Sequence, residues 1–136
     1  MNWKIIFQLS VFGLIMAFAT VSLIPEKAEP VFWLVIFLFC AWVIAKVCTG
    51  RYFLHGFLVS IVNCIWITIA HTVFYDSYVA HHADMAAQMT KGMPLSMQTH
   101  PREVMVIFAP VVGVACGIVL GFFSFIAAKI LKKKAA

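Results

Sequence analysis

Four long apolar stretches, parted by short polar breaks, make up most of the chain. "WKIIFQLSVFGLIMAFATVSLI" covers about residues 3–24, "PVFWLVIFLFCAWVIAKV" residues 30–47 and "YFLHGFLVSIVNCIWITIAHTVFY" residues 52–75, and a fourth runs from about 103 to 131. Each reaches or approaches the ~20 residues that a helix needs to cross ~30 Å of hydrocarbon. None alternates as a barrel strand does, and a helix satisfies its own backbone in lipid. The pattern therefore predicts an all-α, integral membrane four-helix bundle, with residues 1–136 as a single domain. The first run is longer than a signal peptide's apolar region and lacks a clear cleavage site, so it is expected to remain as a span.

The polar breaks are unequal. Residues 25–29, "PEKAE", make a short turn, and residues 76–102 a long connection. Between Phe57 and Lys91 there is neither Gly nor Pro. The third span is thus expected to continue beyond the bilayer as one helix of ~35 residues, about 52 Å long. Gly92 is placed to stop it, and Pro94 to keep it from restarting. In "THPREV", residues 99–104, Thr99 is a candidate cap, Pro101 suits a first helical position, and Arg102 is expected to reach the headgroups.

Composition agrees with the spans. The chain is 64% hydrophobic and 11% charged, against about 45–50% and about 25% for a soluble domain. Its net charge of +5 is not gathered into a basic patch interleaved with aromatics, so the expected partners are membrane lipids and no nucleic acid. Lys4, Lys46, Arg51, Lys129 and Lys132, Lys133 and Lys134 fall on one side of the spans, and Lys27, Lys91 and Arg102 on the other. Basic residues accumulate on the cytosolic side, so both termini are expected there and residues 25–29 and 76–102 outside. The terminal "KKKAA" is read as a topology anchor; its last four residues also have the form of a retrieval signal.

The polar residues within the spans suggest how the bundle is held. Gly113, Gly117 and Gly121 share one face of the fourth span and would let another backbone approach closely. The contact is expected either within the chain or in a homo-oligomer. Pro110 should free the carbonyl of Val106 and kink that span. Ser60, Asn63 and His71 form a stripe on the third span with Gly56. Asn63 is expected to bond another helix, with the carbonyl freed by Pro110 as one partner; a transport path through Asn63 and His71 is the alternative.

The outer connection carries the candidate ligand chemistry. His81, His82, Met85 and Met89 would share a helical face, and thioether with imidazole is a soft donor set suited to copper. Packing against lipid and neighbouring helices explains the same spacing. Copper is therefore the alternative, and no cofactor is required. Cys40, Cys64 and Cys116 lie in spans and Cys48 at a boundary, with no outward pair for a disulfide. No acid–base pair, nucleophile–base set or fixed metal motif is evident, which argues against an enzyme.

With "GFLVS" in the third span, "GVACGIVLG" in the fourth, and a basic tail, the chain resembles the small uncharacterised four-span proteins of the bacterial inner membrane. That resemblance implies the layout and the location, but no activity. The leading expectation is a non-enzymatic membrane protein that binds a lipid, protein or small ligand at its outward face. An outward copper-binding or copper-transfer protein, and a small transporter or channel, are the alternatives.

Overall fold

A computed structural model describes residues 1–91 and 93–134; for Ala86, Met89, Thr90 and residues 132–134 it describes the backbone alone. The expectations placed on Gly92, on the Met89 side chain and on the tail's lysine side chains and last residues lie outside that description. Among the described residues, four helices are long and apolar enough to cross a membrane: α1 (Trp3–Ser22), α2 (Glu29–Val47), α3 (Tyr52–Val73) and α7 (Pro101–Lys134). Between α3 and α7 come three short helices, α4 (Tyr75–His81), α5 (Ala83–Thr90) and α6 (Leu95–Gln98). The protein is an all-helical four-helix membrane bundle.

α3 is the centre of the bundle, packed between α1 and α7, while α2 lies mainly against α7. A core of Ile6, Leu9, Cys40, Ala41, Ile44, Cys48, Val59 and Leu120 fills the half nearer the termini. Many other apolar side chains of the spans, among them Phe7, Ile15, Leu34, Val35, Ile69 and Val111, are exposed. In lipid that face is solvated by acyl chains, so close packing between helices must supply the cohesion.

Glycines provide it. The seam of Gly113, Gly117 and Gly121 is used inside the chain, against Cys64, Phe57 and Phe53 of α3. Two further glycines make tighter contacts. A Cβ on Gly56 would stand 2.6 Å from the Leu120 carbonyl oxygen and 2.5 Å from Ser124 Oγ, and one on Gly13 would overlap the Asn63 side chain. α1 therefore seats on α3 through Gly13, and α3 on α7 through Gly56.

The expected single long helix is broken twice. α3 ends at Phe74 (φ −100°, ψ 34°) and α4 at His82 (φ −129°, ψ 45°). Neither residue is a helix breaker by propensity, so the cause is tertiary. On a straight helix, residues 71 and 78 are separated by a rise of about 10.5 Å; here their rings stack with centroids 4.1 Å apart. The turn at Phe74 folds α4 back over the end of the bundle and buries Tyr78 and His82, which a straight helix would have carried into water. α4 packs chiefly on α1, α5 on α4 and α6 on α7, and these three short helices make up the roof of the bundle.

The entry to α7 follows its expected start at Pro101. Thr99 does not cap it, however; its hydroxyl donates to the Ser96 carbonyl at 2.9 Å. Nor does Arg102 extend freely toward headgroups. It pairs with Asp76 of α4 at 3.0 Å and lies 5.4 Å from the Tyr75 ring centre.

Candidate functional site

The polar stripe on α3 faces α1, and its members meet different fates. Ser60, Asn63 and His71 are all buried. Asn63 has no hydrogen-bond partner at either Oδ1 or Nδ2, so the expected bond to another helix is absent. Its amide is pressed against Gly13, away from Pro110. At Pro110 the polar contact comes instead from Cys64, whose thiol donates to the Ala109 carbonyl at 3.0 Å. Gly113 makes this possible, because its bare backbone leaves room for the Cys64 side chain.

At the termini end, His55 ties α1 to α3. Its Nδ1–H donates to the Arg51 carbonyl at 2.9 Å, so its Nε2 is free to accept the Asn2 backbone N–H at 2.9 Å. Beside it a cavity of about 430 Å³ is lined by Asn2, Cys48, Thr49, Gly50 and Arg51 among others. Burial pushes the Cys48 thiol up, although the nearby amino-terminal charge works the other way. A buried, protonated thiol is a poor nucleophile.

The richest cluster lies at the opposite end, beneath the roof. Thr20 of α1 donates its hydroxyl to the Met16 carbonyl at 2.8 Å, and its remaining lone pair faces His71 Nε2 at 2.8 Å. That arrangement assigns the Nε2–H tautomer to His71. The His71 ring stacks on Tyr78, and Tyr78 on His82, with centroids 4.1 Å and 4.5 Å apart. Tyr78 donates its hydroxyl to Met85 Sδ at 3.2 Å. Burial, with Glu29 and then Glu26 adding negative charge nearby, pushes the Tyr78 phenol up to about 12.

His82 completes the stack and makes a second contact across the bundle. Its side chain is fully buried, and Nδ1–H donates to the Tyr78 carbonyl at 3.1 Å. Nε2 therefore carries a lone pair when the ring is neutral. It faces Glu29 Oε2 at 3.9 Å, and neither atom has a hydrogen-bond partner among the described residues. That distance suits an ion pair and is too long for a direct hydrogen bond. Glu29 Oε1 is fixed by Trp33 Nε1–H at 3.2 Å, and the carboxylate sits in the first turn of α2, where negative charge is favoured.

Of the four residues expected to share a ligand face, the structure separates three. His81 is exposed, with Nδ1 at the Ser77 carbonyl, 2.8 Å away. His82 is turned inward to Glu29, and the Met85 sulfur is engaged by Tyr78. The break at His82 accounts for the divergence, since His81 ends one helix and Met85 belongs to the next. Among the described residues, no three His, Cys, Asp or Glu side chains are gathered as a metal ion would need.

Sequence reasoning missed Thr20, Glu29 and Tyr78 as partners of His71 and His82. A signal existed, because each is a polar side chain at the same end of its span. All five acidic residues, Glu26, Glu29, Asp76, Asp84 and Glu103, belong to that end, in or beside the short turn and the roof. Comparison with known proteins adds nothing to this geometry: no family model, curated protein or solved structure matches the chain.

Proposed function

We propose that this is a non-enzymatic protein of the bacterial inner membrane, with both termini cytosolic, which binds a partner protein at its outward end through the roof. The charge asymmetry of the loops supports that orientation. One observation carries the binding reading: the roof is anchored at Tyr78 and His82, while α6 beyond them leaves Leu95 78% and Met97 45% exposed. Apolar side chains presented on a polar outward segment suit a docking contact. Photo-cross-linking groups at Leu95 and Met97, with one at lipid-facing Ile15 as reference, test it in native membranes. Protein adducts confined to the roof positions are expected; adducts to lipid alone at all three would sink the reading.

A transport reading has its own observation, the buried polar side chains spaced along α1 and α3 from Ser10 and Ser60 through Asn63 to Thr20 and His71. Its test is flux into liposomes, which should fall in Asn63→Leu. Copper handling would require His81, His82 and Met85 to regroup. A Cu(I) titration of wild type against the Met85→Ala, Met89→Ala double variant decides it, equal affinities counting against the site.

A further inference from the structure

The Glu29–His82 couple brings two buried acceptor atoms face to face at 3.9 Å, neither of them hydrogen-bonded to a side chain or backbone group among the described residues. Glu29 is 19% exposed and His82 not at all, so water does little to screen them. With His82 Nδ1–H committed to the Tyr78 carbonyl, a neutral ring presents a lone pair to the carboxylate, which repels it. One added proton on Nε2 turns the same contact into a charge-assisted attraction. We propose that Glu29 and His82 form a proton-operated latch: it holds α4, and with it the roof, on the bundle while the pair carries one proton, and releases them when that proton is lost.

The placement favours such a role. The couple joins α2 to the break between α4 and α5, where the backbone leaves helical geometry at His82. α4 is otherwise held by its packing on α1, by the Tyr78 stack and by the exposed Arg102–Asp76 pair. Among the described residues, the titratable groups next to the couple are Tyr78 of α4 and, stacked on it, His71 of α3, with Glu26 from the turn before α2 acting on Tyr78. Glu26 adds negative charge beside Tyr78 and so favours the protonated pair; His71, whose Nε2–H donates to Thr20, joins the couple through the Tyr78 stack. The latch is closed at lower pH, where the pair carries its proton, and opens as pH rises. It would regulate the roof of the binding reading above, yet it is measured on the roof alone, so its failure leaves the partner reading untouched.

The test is hydrogen exchange of the full chain in lipid nanodiscs, read by mass spectrometry and corrected for the intrinsic pH dependence of exchange. Protection of residues 75–82 should fall about tenfold between about pH 5.5 and pH 8, while α1 and α3 keep theirs. In Glu29→Gln the carboxamide donates to neutral His82, and in His82→Gln the new amide donates to Glu29, so both should show a flat profile with α4 protected throughout. Either variant suffices should the other fail to fold. Unchanged wild-type protection, a loss spread equally over all spans, or a pH dependence that survives in the variants would overturn the latch, the last by assigning the effect to His71.

Discussion

Gly56→Ala tests the claim that close backbone approach, more than side-chain chemistry, holds α3 on α7. The added methyl would sit 2.6 Å from the Leu120 carbonyl oxygen and 2.9 Å from its carbon. Neither atom can swing aside, as both are backbone, and that carbonyl is also held by the Ser124 hydroxyl at 2.8 Å. Restoring an ordinary 3.4 Å contact requires the helices to part by about 0.8 Å. A gap of that size forfeits roughly a quarter to a half of each dispersion contact along the seam, and lipid offers no hydrophobic drive to compensate. Overpacking of this kind costs ~1–3 kcal/mol; with a backbone obstacle the upper end is expected, offset by ~1 kcal/mol of helix propensity gained on losing a glycine. The net expectation is a loss of about 2 kcal/mol in equilibrium unfolding in mixed micelles. Gly50→Ala is the control, since its methyl would meet nothing within 4 Å, and it should stay within about 0.5 kcal/mol of wild type. A Gly56→Ala protein as stable as wild type, or more so, would refute the packing argument.

Other expectations concern the buried polar groups. Thr20→Val removes the acceptor of His71 Nε2–H and should cost about 1–3 kcal/mol in the same unfolding measurement, because a buried donor is left unpaired; no loss would show that the bond is not formed. Asn63→Leu deletes two orphaned polar atoms and should be neutral or stabilising by about 1 kcal/mol, whereas a marked destabilisation would reveal an unseen partner. Tyr78 should ionise near pH 12 in an ultraviolet titration, and that transition should vanish in Tyr78→Phe. Because the folded chain holds the phenol proton longer than the unfolded chain, Tyr78 leaves stability unchanged below about pH 10 and lowers it above.

Much of the architecture was legible because it follows from local properties. Twenty-odd consecutive apolar residues have one way to satisfy their backbone in lipid, so four helices were implied without knowledge of their neighbours. The close-packing face of α7 was equally plain, since three glycines at a spacing of four fall on one side of any helix. Gly13 and Gly56 gave no such signal: each is a lone glycine, and its importance depends on what stands opposite. The stripe of Ser60, Asn63 and His71 was visible, but not that Asn63 would be left without a partner.

The outward end was the least legible part. Neither Gly nor Pro interrupts residues 57–91, and helix propensity alone continues α3 through Phe74 and His82. What the sequence by itself determined is the number of spans, their helical form and their lopsided charge, all properties of segments taken one at a time. Only the tertiary structure decided where the third helix ends. Folding α4 back buries Tyr78 and His82 against His71 and Glu29, residues distant along the chain. The gain in stacking and burial offsets the interruption of the helix at Phe74 and His82, a balance that no local pattern encodes.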